Sequence, residues 1–207
     1  MHAYDDSIIE YAMDNLGTAL DYSVNGLEIE GQEFIDLFVS TGVATEFGNG
    51  NPRYVTGMSG REIADVVYEI CGKSTLKIDG EYHGDYSAEY WCGWILAYYQ
   101  WFSGVPFKKI LLVIDFQTLM NLYGVLHEAD ITKAASVLED LVRAESFLAR
   151  MRKLRGMSQS QLAKTSGVSL RSIQLYEQKK NDIGRAQYNN LQAISKALYC
   201  GIEDILE

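Results

Sequence analysis

The 207-residue chain holds only three cysteines, three histidines and no apolar run long enough to cross a bilayer, and each shortage closes a class of function. Cys71, Cys92 and Cys200 are isolated, odd in number and without Cys-x-x-Cys spacing. They predict free thiols in a reducing cytoplasm rather than a disulfide framework or a thiolate zinc site. His127 is followed by Glu128, Ala129 and Asp130, without the second histidine that a helical zinc site needs, so it reads as a loop-end residue before a capping aspartate. His2 and His83 stand alone. The stretch Leu111 to Ile114 is far too short to span a membrane, and the opening MHAYDDSIIE is acidic where a signal peptide would be basic, so no export is expected.

Catalytic patterns are equally scarce. Gly42 to Gly50 has glycines but no lysine and no strand-to-helix setting, so no phosphate loop is present. Cys92 sits beside Trp91 with no basic neighbour to stabilise a thiolate. Neighbouring carboxylates such as Asp5 and Asp6, or Glu139 and Asp140, point to different faces of a helix. These absences argue against an enzyme and imply no cofactor and no metal.

Positive charge is also short, yet unevenly so. The chain has 18 basic and 28 acidic residues, but Met1 to Arg143 holds 8 against 22, a net of −14, while Ala144 to Glu207 holds 10 against 6, a net of +4. This asymmetry predicts two domains with different partners, 1–143 acidic and 144–207 basic, because a phosphate backbone attracts the second and repels the first.

The basic part carries the most informative segment, SQSQLAKTSGVSLRSIQLYE, Ser158 to Glu177. Ser158 and Gln161 form a capping-box pattern, Leu162 and Ala163 face inward, and Gly167 stands where the chain turns sharply with a positive φ. Val168 plugs that turn and Ser169 caps a second helix. On the second helix Ile173 and Tyr176, with Glu177, fall to one side, while Arg171, Leu175 and Gln178 fall opposite, flanked by Gln174. Two short helices around such a turn present the second one to the DNA major groove. Arg171 is the expected base reader, since a guanidinium can bond two acceptors on guanine, and Leu175 could touch a thymine methyl. Leu170, at the leading end, either touches DNA or packs on the first helix. Gln159 donates to a phosphate, supports a neighbouring side chain or is simply solvated. The basic loop Lys179-Lys180-Asn181 follows.

Flanking segments complete the domain: Phe147, Met151 and Leu154 at helical spacing before Gly156, then Ala186 to Leu198 with Leu191, Ile194 and Leu198 as a stripe, and a last turn of Ile202, Ile205 and Leu206. The region Phe147 to Glu207 resembles the XRE family, the Cro and phage-repressor type of helix-turn-helix, matching SQxxLAxxxGVSxxxIxxYE in order and the closing IxDIL-like run. That resemblance implies a five-helix, lambda-repressor-like DNA-binding domain. It implies a phosphate-side role for Gln159, base-reading roles for Leu170 and Arg171, and an ion pair between Arg152 and Glu177. Gln159, Leu170 and Arg171, with Ser169, Gln174, Leu175, Lys179 and Lys180, make the expected interface with double-stranded DNA. The family's frequent proline after the loop is replaced here by IGRAQ, Ile183 to Gln187.

The N-terminal domain reads as mainly helical. Ser7 to Tyr22 carries Ile8, Ala12, Leu16, Ala19 and Leu20 at helical intervals before the Asn25-Gly26 break. Gln32 to Thr41 places Phe34, Leu37 and Phe38 inward, GNGNPR from Gly48 to Arg53 reads as a loop, and Ser59 with Glu62 opens a helix to about Ile70. Leu76 to Gly84 suggests a small hairpin around Asp79-Gly80. Pro106 opens a helix through Ile114, Asp115 caps the next, and Asp130 caps one from Ile131 to Arg143.

Within this domain SAEYWCGWILAYYQWFSG, Ser87 to Gly104, is apolar nearly all round. It reads either as a central core helix or as one with an exposed aromatic edge for a partner. On the second reading Tyr90, Tyr99 and Trp101 reach solvent, flanking an inward stripe of Trp91, Trp94, Ile95 and Tyr98. Three functions follow: a DNA-binding regulator, expected to be a repressor and a homodimer, whose acidic domain dimerises or holds a basic protein such as a toxin, in the manner of an antitoxin; a ligand-responsive repressor with a small-molecule pocket; or an enzyme with a regulatory tail.

Overall fold

The computed structural model describes residues 2–73 and 86–207, which form helices and no strand. The hairpin expected over Leu76 to Gly84, with His83, lies outside the described residues. Two compact units divide the chain, Met1–Val142 and Arg143–Glu207.

The first unit contains α1 (Ile9–Asp21), α2 (Gly31–Ser40), α3 (Val43–Gly48), α4 (Pro52–Val55), α5 (Gly60–Ile70), α6 (Ala88–Ser103), α7 (Phe107–Leu111), α8 (Phe116–Leu126) and α9 (Ile131–Arg143, whose last residue opens the second unit). Helix starts follow local chemistry. Ser59 and Glu62 close a reciprocal capping box on α5, Asp115 accepts from the Thr118 amide, and Asp130 accepts from the Thr132 amide. Each such cap is worth about 1 kcal/mol. GNGNPR is not one loop: Gly48 ends α3, Asn51 caps α4 by accepting from the Arg53 amide, and Pro52 fills the first helical position. The same residue types that signal a turn also start a helix. The helix opened by Pro106 closes at Leu111, short of Ile114. On α2 the buried row is Gly31, Phe34, Ile35 and Phe38. Ile35 therefore occupies the inward place expected for Leu37, because the contact row runs at spacings of three and four from Gly31.

Close backbone approach decides how α6 is oriented. A β-carbon built on Gly93 would overlap the Leu16 carbonyl oxygen of α1 and stand 2.9 Å from the Gly17 Cα. Gly60, at the start of α5, meets α1 in the same way, within 2.6 Å of the Thr18 Cβ. The face of α6 carrying Gly93 and Ala97 is pressed onto α1, and Cys92, Ile95, Leu96, Tyr99, Gln100 and Trp101 are buried beside it. A second aromatic nucleus lies between α2, α3 and α7, where the Phe38 ring packs edge-on to Phe107 at 5.4 Å and to Phe47 at 6.0 Å.

This arrangement corrects the expected partner edge. Tyr99 is 0 % exposed and donates its hydroxyl to Glu139 on α9 at 2.6 Å. Trp101 is buried beneath the N-terminal segment: its indole N–H donates to the Tyr4 carbonyl at 2.9 Å, and the His2 ring lies 3.8 Å from it. Tyr90 is half-buried, with its hydroxyl donating to Asp14 at 2.9 Å. Trp91, Trp94 and Tyr98, expected inside, are only half-buried, and Phe102 is 46 % exposed. The small residues Gly93 and Ala97 select the inward face of α6, and Trp91, Trp94 and Tyr98 are left at its margin.

The second unit contains α10 (Phe147–Leu154), α11 (Gln159–Ser166), α12 (Leu170–Glu177) and α13 (Tyr188–Leu198). Its core joins Leu148, Met151, Leu162, Val168, Ile173, Leu191, Ile194, Leu198 and Ile205. Leu154 is 64 % exposed rather than inward. Arg155, the exposed residue that ends α10, donates its guanidinium to the Leu198 and Tyr199 carbonyls. Ile183–Arg185 forms a single 3-10 turn where the family pattern has its proline. The closing segment is a hydrogen-bonded turn rather than a fifth helix. Asp204 there accepts from the Gly201 amide at 3.0 Å, and Ile205 is fully buried.

Candidate nucleic-acid interface

Helices α11 and α12 are set by short-range chemistry. The Ser158 hydroxyl accepts from the Gln161 amide at 3.1 Å, and the Gln161 side chain accepts from the Ser158 amide at 2.7 Å. Gly167 ends α11 with φ +73° and returns its amide to the Ala163 carbonyl. A side chain at that position would pay for the left-handed conformation. Val168 is buried behind the turn, and Ser169 caps α12 by accepting from the Ser172 amide at 3.0 Å.

A buried ionic clamp then fixes α12 against α10 and α11. Arg152 donates to both Glu177 oxygens, from Nε at 2.6 Å and from Nη2 at 2.9 Å, and its Nη1 donates to the Met157 carbonyl. Their side chains are 11 % and 6 % exposed. Gln159 donates to the same Glu177 oxygen that accepts from Nη2, at 2.8 Å. Bonding to Glu177 holds the guanidinium above its ordinary pKa against the opposing effect of burial. Three helices therefore meet on one carboxylate. Gln159 supports its neighbour in the way the sequence allowed, with its amide turned to Glu177.

The opposite face of α12 is open. Arg171 is exposed and Leu170 is 38 % exposed at the leading end, while Gln174 and Leu175 are half-buried. Leu175 is thus less exposed than expected, and its carbonyl accepts from the Lys180 amide at 2.9 Å where the chain leaves the helix. Ser169 lies at the helix start with its hydroxyl 2.8 Å from that of Ser172. Lys180 is exposed, and among the described residues neither it nor Arg171 has an ion pair. Lys179 differs. It takes a positive φ of 54°, and its ammonium bonds the Arg143 carbonyl and the Glu207 carboxylate, each at 3.0 Å. This tie was invisible in the sequence because it joins residues far apart along the chain.

Among the described residues no group of three His, Cys, Asp or Glu could hold a metal ion, and no helix is long and apolar enough to cross a membrane. Burial pushes the Cys92 thiol up to about 12, which keeps it protonated at neutral pH and removes its nucleophilic form. The arrangement of α11 and α12 offers a helix, clamped from behind, whose outer face carries an exposed guanidinium that suits a polyanion.

Residues 148–205 match the family model HTH_3, helix-turn-helix. The C-terminal segment is therefore a helix-turn-helix of the XRE family, which supports a DNA-binding transcriptional regulator. No curated protein and no solved structure matches the chain.

Proposed function

We propose that the chain is a sequence-specific regulator, acting as a repressor, in which α12 enters the major groove and Arg171 reads base edges. The observation that carries this reading is the position of Arg171, exposed on the face of α12 opposite buried Ile173, on a helix locked from behind by the Arg152–Glu177 clamp. Rigid support matters because base readout needs the guanidinium held in one orientation before DNA arrives. Gln174, Leu175 and Leu170 flank it as secondary contacts, while Ser169 and Lys180 lie where phosphates would pass. Lys179 is the weaker phosphate contact, since engaging DNA would break its bonds to Arg143 and Glu207.

A single unit of this size covers too little DNA for selective binding, so a two-fold dimer on half-sites about one helical turn apart is part of the proposal. A protein partner for the acidic unit, including a toxin masked in the antitoxin manner, loses two of its three expected contact residues to the core, Tyr99 and Trp101. An aromatic-lined cavity in the same unit favours a ligand-responsive regulator instead.

In the full-length protein, Arg171→Ala is expected to cost about 1 to 3 kcal/mol on the preferred duplex and little on random duplex. Lys180→Ala should weaken both alike. Fluorescence anisotropy with the two DNAs measures the difference. Equal losses on both DNAs for Arg171→Ala would remove it from the reading role.

A further inference from the structure

The N-terminal unit contains a half-open cavity of about 370 Å³ between α6, the end of α8 and the start of α9. Its lining includes Tyr86, Tyr90, Trp91, Trp94, Tyr123 and His127. The volume lies within the range of small-molecule sites. Two pairs of rings stand nearly edge to face: Tyr86 with Tyr90 at 5.0 Å and 84°, and Trp91 with Tyr123 at 5.8 Å and 65°. Perpendicular rings present π faces in more than one direction, which is the geometry that surrounds a compact cation.

Charge points the same way. Among the described residues, none lining the cavity is a lysine, arginine, aspartate or glutamate. A bound cation would meet neither a fixed positive charge nor a carboxylate there and would be held by the rings alone, and an anion would find no cationic partner. The Tyr90 phenol donates to the Asp14 carboxylate at 2.9 Å, which draws negative charge onto that ring. Glu128 and Asp130 lie outside the lining, Glu128 exposed and Asp130 accepting from the Thr132 amide, so the charge that bears on the cavity is that of Asp14 through the Tyr90 phenol. His127 turns Nδ1 to the Tyr123 carbonyl at 2.8 Å and has Nε2 at 3.7 Å from Glu128. A neutral aromatic ligand would gain burial in such a cavity but nothing from the negative charge drawn onto the Tyr90 ring.

We propose that the aromatic cavity bounded by Tyr86, Tyr90, Trp91, Trp94 and Tyr123 is a binding site for a small organic cation of the quaternary ammonium type. The site stands on the N-terminal unit alone and does not rest on the DNA-binding reading.

The test uses the full-length protein without DNA, with choline and benzyltrimethylammonium as probes and dimethylbutanol as the uncharged isostere of choline. Titration calorimetry and tryptophan fluorescence report binding, since two of the three tryptophans line the cavity. Both cations are expected to bind at millimolar concentration or below, with choline tighter than its isostere by on the order of tenfold or more. Trp94→Leu and Tyr123→Leu should each weaken the cations by a similar factor, and Phe102→Ala, outside the lining, should not. If either cavity variant fails to fold, the comparison of choline with its isostere in the unaltered protein still decides. Equal affinity for the charged and uncharged probes, or no binding of either cation at millimolar concentration, overturns the proposal. Because no DNA is present, neither outcome bears on the role of α12.

Discussion

Replacing Glu177 by alanine is expected to remove about 3 to 5 kcal/mol from the stability of the C-terminal unit. The cost comes from what is left behind. Arg152 would remain with an 11 % exposed side chain and lose the carboxylate that accepts from both its Nε and Nη2, and Gln159 would lose its acceptor as well. A helical unit of this size has only about 3 to 10 kcal/mol in total, so the loss is a large share of its stability and the variant should unfold at much lower urea than the parent. Circular dichroism during urea unfolding measures the loss. Arg152→Met combined with Glu177→Leu removes both charges at once and should recover most of the stability, because a buried ion pair exchanged for apolar side chains of similar volume is often near neutral. A single Glu177→Ala variant as stable as the parent would mean that the clamp is solvated and does not hold α12.

In the N-terminal unit the largest effect is expected at Gly93. Gly93→Val would drive side-chain carbons into the Leu16 carbonyl and the Gly17 backbone, and a backbone obstacle cannot turn away as a side chain does. Forcing α6 off α1 should cost about 3 kcal/mol or more and lower the melting temperature by on the order of 10 °C. Gly124→Ala on α8 is the control. A β-carbon there meets nothing within 4 Å, and removing a helical glycine should leave stability unchanged or raise it by up to about 1 kcal/mol. A Gly93→Val protein that melts with the parent would show that the two helices are not in backbone contact.

Gly93 also marks where sequence reading ran out. The caps at Ser59, Ser158 and Ser169 and the turn at Gly167 were legible because each depends on residues within three or four positions of itself. The inward face of α6 was not. Every side of that helix is apolar, so periodicity could not choose among them, and size favoured the tryptophan stripe. What decides the orientation is the pairing of Gly93 with Leu16 and Gly17, residues far away along the chain that hydropathy does not connect. Tyr99 and Trp101 consequently went to the core, and Trp91 and Trp94 to a cavity wall. Leu154 misled because it is the last residue of α10, where helical spacing continues but the core does not, and it is left 64 % exposed. In the helix-turn-helix, the Arg152–Glu177 pair was legible through the family pattern alone, and the hold of Glu207 on Lys179 was not legible at all.

The central claim, that α12 reads specific DNA as half of a two-fold dimer, is tested most directly by selecting preferred sites from a pool of random duplexes with the full-length protein. Selection at near-physiological salt should enrich a site of two inverted half-sites whose centres lie about one helical turn apart. Its affinity should exceed that for random duplex by about 10³-fold or more and fall with salt by about 0.9 log units per log unit for each phosphate neutralised. Recovery of an unenriched pool, or of a single asymmetric site bound by one copy of the chain, would contradict the account.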